Sequence, residues 1–179
     1  MRVLVLALGN SLRGDEGAPH AVLDALRGHV TPSDGLELSG SISGGIALLS
    51  MVTGFDRVLI IDSDQTPGRS PGDVHTHTPE TMEETMHAAS DSGGISRVLE
   101  LGERFYPGQM PKEVVTVAIE VGDCDSFKEG LSPAVEAAVP VAAEAALAVL
   151  RGWGVPAARR ARAPQAFLPT SPPPRPREG

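Results

Sequence analysis

Two carboxylates, Glu16 and Asp62, each stand where a hydrophobic run stops and the chain turns. The first run covers residues 3–8 and is followed by a glycine-containing loop at 9–17, and the second covers residues 58–61 and is closed directly by Asp62. Short apolar runs bounded by turn residues are typical of buried parallel strands. In open α/β sheets the binding crevice lies outside the carboxyl ends of the strands. We therefore expect both acids to point into one site.

Such a pair of acids is compatible with four kinds of chemistry. It could ligate a divalent cation, act as an acid/base pair, bind a basic group on a ligand, or cap the helices that follow. Asp15 and Asp64 stand beside the pair and could supply the caps, which leaves Glu16 and Asp62 for the crevice. The loop at 9–17 has neither the Gly-Lys-Ser/Thr ending of a P-loop nor the third glycine of a dinucleotide fingerprint. Its acids repel phosphate and attract a cation.

Three other side chains have the chemistry of ligands or nucleophiles. His75 and His77 alternate with polar residues in the segment 73–78, which predicts an edge strand with both rings on one face. They are either a metal-binding pair or two solvated histidines, and the second interpretation is favoured because no orienting partner is visible in the sequence. The single cysteine, Cys124, lies between two aspartates that raise a thiol pKa, which favours a bystander over a nucleophile.

Strand-like and helix-like segments alternate along the chain and predict the elements that position these residues. The sequence predicts an α/β fold, a three-layer α/β/α sandwich around a twisted, mostly parallel sheet of about five strands. Ser132 is expected at the N-cap of the last helix, with Pro133 at its first position. The predicted strands lie at 3–8, 36–38, 58–61, 73–78 and 114–119, and the predicted helices at 21–26, 46–52, 79–86, 95–101 and 133–150.

Composition divides the chain into a domain at 1–152 and a tail at 153–179. The segment 151–179 has six arginines and one acid, which gives it a net charge of +5. Because the whole chain has a net charge of −8, the first 150 residues have a net charge of −13. An acidic body disfavours nucleic-acid binding, which depends on Lys and Arg contacts to phosphate. Five prolines among residues 169–176 predict a disordered tail. We expect no signal peptide, no stretch approaching membrane-spanning length, and a cytoplasmic location.

Four motifs in order resemble the hydrogenase maturation proteases, the endopeptidases that trim the C-terminus of the large subunit of nickel-iron hydrogenases. The first is Gly-Asn-Ser-Leu-Arg-Gly-Asp-Glu-Gly at 9–17, and the second is Ser-Gly-Gly-Ile-Ala-Leu-Leu at 43–49. The third is Ile-Ile-Asp at 60–62 with a later Pro-Gly at 67–68, and the fourth is Gly-Leu-Ser-Pro at 130–133. Each motif is weak alone, but together they cover residues 1 to about 150 in the family's order.

The resemblance implies a metal site built from a glutamate, an aspartate and a histidine. Glu16 matches the glutamate and Asp62 the aspartate. Counting back seven residues from the Val-Leu pair at 98–99 gives Asp91 in the histidine's position, and the nearest histidine is His87. His87 is preferred, because a Ser-Asp-Ser-Gly-Gly stretch tolerates the required insertion and imidazole suits nickel better than a further carboxylate. The chain also departs from the family at Pro19, where a glycine is usual.

The resemblance further implies a function and a partner. The chain would cleave the C-terminal extension of a hydrogenase large-subunit precursor after nickel insertion, with the nickel supplied by that precursor. Glu16, Asp62 and His87 would be both its metal-recognising and its catalytic residues. Two rival interpretations remain: a non-catalytic metal-binding or chaperone module on the same fold, and a related α/β hydrolase with another substrate.

Overall fold

The computed structural model describes residues 1–30, 35–42, 44–79, 81, 94–122, 124 and 127–156. Strands and helices alternate along most of this length. The strands are β1 (Val3–Leu8), β2 (Leu36–Ser41), β3 (Arg57–Asp64), β4 (Val74–His77) and β5 (Glu113–Glu120). The helices are α1 (Ala18–Arg27), α2 (Ala47–Val52), α3 (Gly94–Phe105) and α4 (Pro133–Gly152), and a 3₁₀ turn at Gly14–Gly17 precedes α1.

The five strands form one sheet in the order β2-β1-β3-β5-β4. β1, β2, β3 and β5 are parallel, and β4 is antiparallel at one edge, which confirms the predicted mostly parallel sheet and edge strand. The prediction that β3 stops at residue 61 is wrong. Asp62 to Asp64 continue the strand because they pair with residues 118–120 of β5.

Two apolar cores lie on opposite faces of the sheet and make the three layers. Alternate strand residues such as Val5, Leu59 and Val117 pack on one face against α1 and α4. The intervening residues, such as Leu6 and Ile60, pack on the other face with side chains of α2 and α3. This alternation explains why β1, β3 and β5 are continuous hydrophobic runs: both of their faces are buried.

The helix α4 has 20 residues and is long and apolar enough to span a membrane by length and composition. The expectation that no stretch approaches this length is therefore wrong. One face of α4 is nevertheless part of the domain core, through Val135, Ala142 and Leu150. Its apolar composition is accounted for by packing on the sheet.

Three further predictions meet the structure only in part. The helix predicted at 79–86 lies almost entirely outside the described residues. Trp153 and Val155, just beyond the predicted domain boundary at 152, are buried in the core, and the Trp153 indole N–H donates to Glu113 at 2.7 Å. Residues 157–179 lie outside the described part, so the disordered tail stays a prediction.

Candidate functional site

The loop that carries Glu16 and the end of β3 that carries Asp62 lie at the same edge of the sheet. β1 and β3 are neighbouring parallel strands, with Ala7 beside Ile61. The carboxyl ends of both strands therefore lie at the same edge of the sheet, where the binding crevice of an open α/β sheet is expected. The negative charge of Glu16 is close enough to Asp62 to contribute to the raised pKa of that residue.

Backbone contacts fix the loop between β1 and α1. A Cβ atom at Gly9 would overlap the carbonyl oxygen of Glu16, so the loop folds this tightly only with glycine there. The Gly9 carbonyl accepts a hydrogen bond from His20 Nε2 at 2.8 Å. Gly14, at φ +55°, donates its amide to the Lys128 carbonyl at 2.6 Å. The loop is thus tied to α1 and to the segment that precedes α4.

Asp15 anchors this loop and does not cap the helix α1 that follows it. Its buried carboxylate accepts hydrogen bonds from the backbone amide of Ser132 at 2.6 Å and from the Ser132 hydroxyl at 2.9 Å, and the Gly122 amide lies at 3.5 Å. The suggestion that Asp15 caps α1 is wrong, since α1 has no side-chain cap. Ser132 occupies the N-cap position of α4 and Pro133 the first helical position, as predicted, but the Ser132 hydroxyl binds Asp15 rather than its own helix.

Glu16 is partly buried and has one charged neighbour in the described loop. Its Oε1 lies 3.3 Å from Nη1 of Arg13, three residues earlier. Exposed ion pairs of this kind contribute little to stability, about 0–1 kcal/mol. The carboxylate is therefore available to a stronger cation in the crevice.

Asp62 has a pKa raised to about 7. Burial is the main cause, and the negative charges of Asp64 and Glu16 raise the pKa further, while the Ser63 amide, which donates to Asp62 Oδ1 at 2.8 Å, opposes them. A carboxylate in such surroundings is held partly protonated near neutral pH. A cation in the crevice would relieve both the repulsion and the desolvation.

His87 and Asp91, the two candidates for the third ligand, lie outside the described residues. Gly94, where α3 begins, is the next described residue after them. The structure therefore does not choose between them. Cys124 is half-buried against the core, which fits a bystander thiol.

A second polar cluster lies on the face of the sheet that packs against α2 and α3, and it consists of Asp64, His75, His77 and Glu120. Asp64 Oδ2 lies 3.9 Å from His75 Nε2, and Glu120 Oε1 lies 3.6 Å from His75 Nδ1. The rings of His75 and His77 stack with centroids 5.4 Å apart. The expectation of two solvated histidines is not met: both residues are half-buried, and burial lowers the pKa of each.

The sequence contained part of the signal for this cluster. The alternation of His75 and His77 predicts their shared face correctly. What it lacks is the pairing of β4 with β5, which brings residues 74–77 beside 116–119. Without that register, the sequence does not indicate that Glu120, the last residue of β5, lies beside His75.

Comparison with known proteins gives the chain its family. A family model, HycI hydrogenase maturation protease, matches residues 23–149, most of the described domain. The chain belongs to the hydrogenase maturation protease family. The matched region includes Asp62 and begins after Glu16.

Individual members of the family agree over nearly the whole domain. The chain is 29% identical over 162 residues to the hydrogenase 2 maturation protease of Escherichia coli, covering 89% of this chain and 97% of that one. It is 27% identical over 157 residues to the hydrogenase expression/formation protein HupD of Rhizobium leguminosarum, covering 86% and 76%.

Solved structures of the family share the fold. The hydrogenase maturating endopeptidase HybD of E. coli superimposes with a TM-score of 0.74 at 30% identity, over 88% of this chain and 96% of that one. HybD of Thermococcus kodakarensis gives a TM-score of 0.64 at 26% identity, over 83% and 99%. Relatives named as maturation proteases and endopeptidases thus identify this maturation protease as a peptidase and confirm the family resemblance of its motifs.

Proposed function

We propose that this maturation protease removes the C-terminal extension of a nickel-iron hydrogenase large-subunit precursor once nickel is installed. In this proposal Glu16, Asp62 and a third ligand, with His87 preferred over Asp91, recognise the nickel that the precursor carries. One observation carries the proposal: in a chain of the hydrogenase maturation protease family, Glu16 and Asp62 follow the neighbouring parallel strands β1 and β3 at one edge of the sheet, and burial and nearby negative charge, including that of Glu16, raise the pKa of Asp62 to about 7. Such a pair is most stable with a cation between its members.

An incomplete ligand set accounts for dependence on the loaded precursor. Two carboxylates and one imidazole leave coordination positions open, so the ion is held well only when the precursor supplies its own ligands. Cleavage then follows metal loading and serves as a checkpoint on it. The proposed partner is thus the large-subunit precursor, and the proposed location is the cytoplasm.

The chemistry of hydrolysis divides between the bound ion and the protein. A divalent ion can polarise the scissile carbonyl or lower the pKa of a bound water. Alternatively, a carboxylate of the crevice could accept the proton of the attacking water as a general base. Glu16, on the tightly anchored loop, would hold the ion together with Asp62.

Exposed apolar side chains surround the carboxyl end of the sheet and support docking of a large protein substrate there. Phe127 is 84% exposed and its neighbour Lys128 is bridged to the first loop, which carries the exposed Leu12. Ile42 and Ile46 are exposed just after β2. Apolar groups exposed together in loops around a crevice are typical of a protein-binding surface.

Replacing Glu16 by Gln tests the proposed function directly. We expect Glu16→Gln to slow processing of the nickel-loaded precursor by about 10- to 100-fold, because a metal ligand is lost while the shape of the side chain is kept. The free energy of unfolding should change by less than about 0.5 kcal/mol, since only the Arg13 pair is removed. Processing is measured by the mobility shift of the precursor on a denaturing gel.

Glu144→Gln is the matched control for this test. Glu144 lies exposed on α4, where it pairs with Arg151, so the same substitution there should leave processing unchanged. If Glu16→Gln processes the precursor as fast as Glu144→Gln does, Glu16 does not recognise the metal and the proposal is wrong.

The third ligand can be identified by comparing His87→Ala with Asp91→Ala in the same assay. We expect His87→Ala to lose processing by at least about tenfold and Asp91→Ala to retain it, because an imidazole is the stronger nickel ligand. The reverse result would assign the position to Asp91 and make the crevice an all-oxygen site. Absence of precursor processing by the wild-type chain itself would favour the rival interpretation of a metal-binding module that has lost proteolysis.

A further inference from the structure

The cluster of Asp64, His75 and Glu120 brings together the side chains of three strands. Asp64 of β3 is in register with Glu120 of β5, and Ala118, two residues earlier in β5, is in register with His75 of β4. Strand residues two apart point to the same face. The small Ala118 side chain leaves the space that the His75 ring occupies, so all three ligating groups converge at the carboxyl end of β5.

The spacing of these groups fits a metal ion and does not fit direct hydrogen bonding. One ligand atom from each residue can be chosen so that all three lie within 4.8 Å of one another. Ligand atoms about 2.1 Å from a tetrahedral ion are about 3.4 Å apart. His75 can offer one ring nitrogen to such an ion, either Nε2, which lies 3.9 Å from Asp64 Oδ2, or Nδ1, which lies 3.6 Å from Glu120 Oε1. The three residues therefore place two carboxylates and one imidazole around one small space.

Buried polar atoms in this cluster lack hydrogen-bond partners within the described part of the chain. Glu120 is only 2% exposed, and while its Oε2 accepts the Thr66 amide at 2.8 Å, its Oε1 accepts no hydrogen bond. His75 Nδ1 and His77 Nε2 are also buried without a hydrogen bond. A buried carboxylate oxygen that accepts no hydrogen bond is destabilising, because it has lost its water without gaining a donor. The cluster is thus short of a positively charged partner.

Arg69 is the only cation that the described structure brings near this carboxylate. Its Nε lies 3.6 Å from Glu120 Oε1, beyond hydrogen-bond distance, and the side chain is 42% exposed. The guanidinium therefore partly balances the charge from the surface without filling the space between the three ligands. An ion bound there would compete with Arg69 for the same oxygen.

From this geometry we infer that Asp64, His75 and Glu120 form a second metal site, for a divalent transition ion such as zinc. The ion is resident in the folded protein and ties the edge strand β4 to β3 across the end of β5. It is separate from the nickel that the precursor would bring to Glu16 and Asp62, and it requires neither precursor nor proteolysis. This inference stands or falls independently of the proposed function.

Zinc titration of the chelator-treated full chain tests the inference. The variant Glu16→Gln/Asp62→Asn provides the background, because it removes the crevice acids and leaves the cluster intact. We expect it to bind one equivalent of zinc by calorimetry and to melt at a higher temperature with zinc than without. Adding His75→Gln or Glu120→Gln should weaken zinc binding by at least about tenfold, whereas adding His29→Gln, outside both clusters, should not.

Arg69→Gln keeps the inference testable even if both cluster variants fail to fold. Arg69 is exposed, and its loss should tighten zinc binding several-fold because a competing charge is removed. Absence of zinc binding in the crevice-deficient background would overturn the inference. Zinc affinity unchanged by His75→Gln and Glu120→Gln in folded protein, or by Arg69→Gln, would also overturn it.

Discussion

Asp62→Asn is expected to reduce processing of nickel-loaded precursor by about 100-fold or more while making the protein more stable at pH 8. Mutating a residue that only hydrogen-bonds to a metal ligand typically lowers metal affinity or activity by about 10- to 100-fold. Loss of a direct ligand, as proposed for Asp62, should lower processing by at least that much. The gain in stability comes from removing a charge that the fold disfavours, as the pKa of about 7 indicates. Asn keeps the oxygen that accepts the Ser63 amide.

The gain in stability on replacing Asp62 by Asn should depend on pH. Asp62 titrates at about 3.8 in the unfolded chain and about 7 in the folded one, so the stability it contributes is full below pH 4 and is lost as pH rises to 7. The loss is at most about 4 kcal/mol, and partial exposure of Asp62 lowers it to about 1–2 kcal/mol. Asp62→Asn should therefore melt about 2–8 °C above wild type at pH 8 and at nearly the same temperature at pH 4.

Thermal melts at pH 4, 6 and 8 and the processing assay together check this prediction. Asp24→Asn is the control, since Asp24 is exposed and pairs with the exposed Arg27, and it should leave both the melting temperature and the processing rate unchanged. Rapid processing by Asp62→Asn would remove Asp62 from the mechanism. A melting temperature lower than that of wild type at pH 8 would show that the Asp62 carboxylate has a stabilising partner.

Asp15→Ala is expected to destabilise the protein by about 2–4 kcal/mol and to slow processing by at least about tenfold. Each hydrogen bond to a charged group contributes about 1.5–3 kcal/mol, and the substitution leaves the Ser132 amide and hydroxyl without their acceptor. The loop at 9–17 loses its link to α4, so Glu16 loses its position. Denaturant unfolding measures the first effect and the gel assay the second.

Two variants separate anchoring from a general loss of charge. Asp24→Ala removes an exposed aspartate and should change stability by less than about 0.5 kcal/mol. Asp15→Asn can still accept the Ser132 amide and should lose less stability than Asp15→Ala. If Asp15→Ala is as stable as Asp24→Ala, the Asp15 hydrogen bonds do not hold the loop.

The sequence was sufficient for the parts of the fold that depend on local pattern. Hydrophobic runs at 3–8, 58–61 and 114–119 predict β1, β3 and β5 because strands buried on both faces need continuous apolar residues. The turn after each run predicts which acids reach the carboxyl edge. The sequence predicts Glu16 and Asp62 at this edge in this way, and the resemblance of its motifs to the family implies their chemistry.

The parts that sequence could not supply depend on contacts between distant segments. Asp15 is a residue type that often caps helices. Only the packing of α4 shows that its carboxylate oxygens accept hydrogen bonds from Ser132 instead. Glu120 ends an apolar strand, and only the β3–β5 register places it beside Asp64. His87 and Asp91 depend on where an insertion falls, and one sequence does not fix that alignment.

The Asp15 contacts also bear on the order in which the chain folds. They join residues separated by 107 and 117 positions, from Asp15 to Gly122 and to Ser132. Closing such large loops of chain is entropically costly and is rewarded late in folding. The loop with Glu16 is therefore fixed only after α4 has docked, so a nascent chain still lacking α4 has no assembled crevice. Docking of α4 and assembly of the crevice are then a single event.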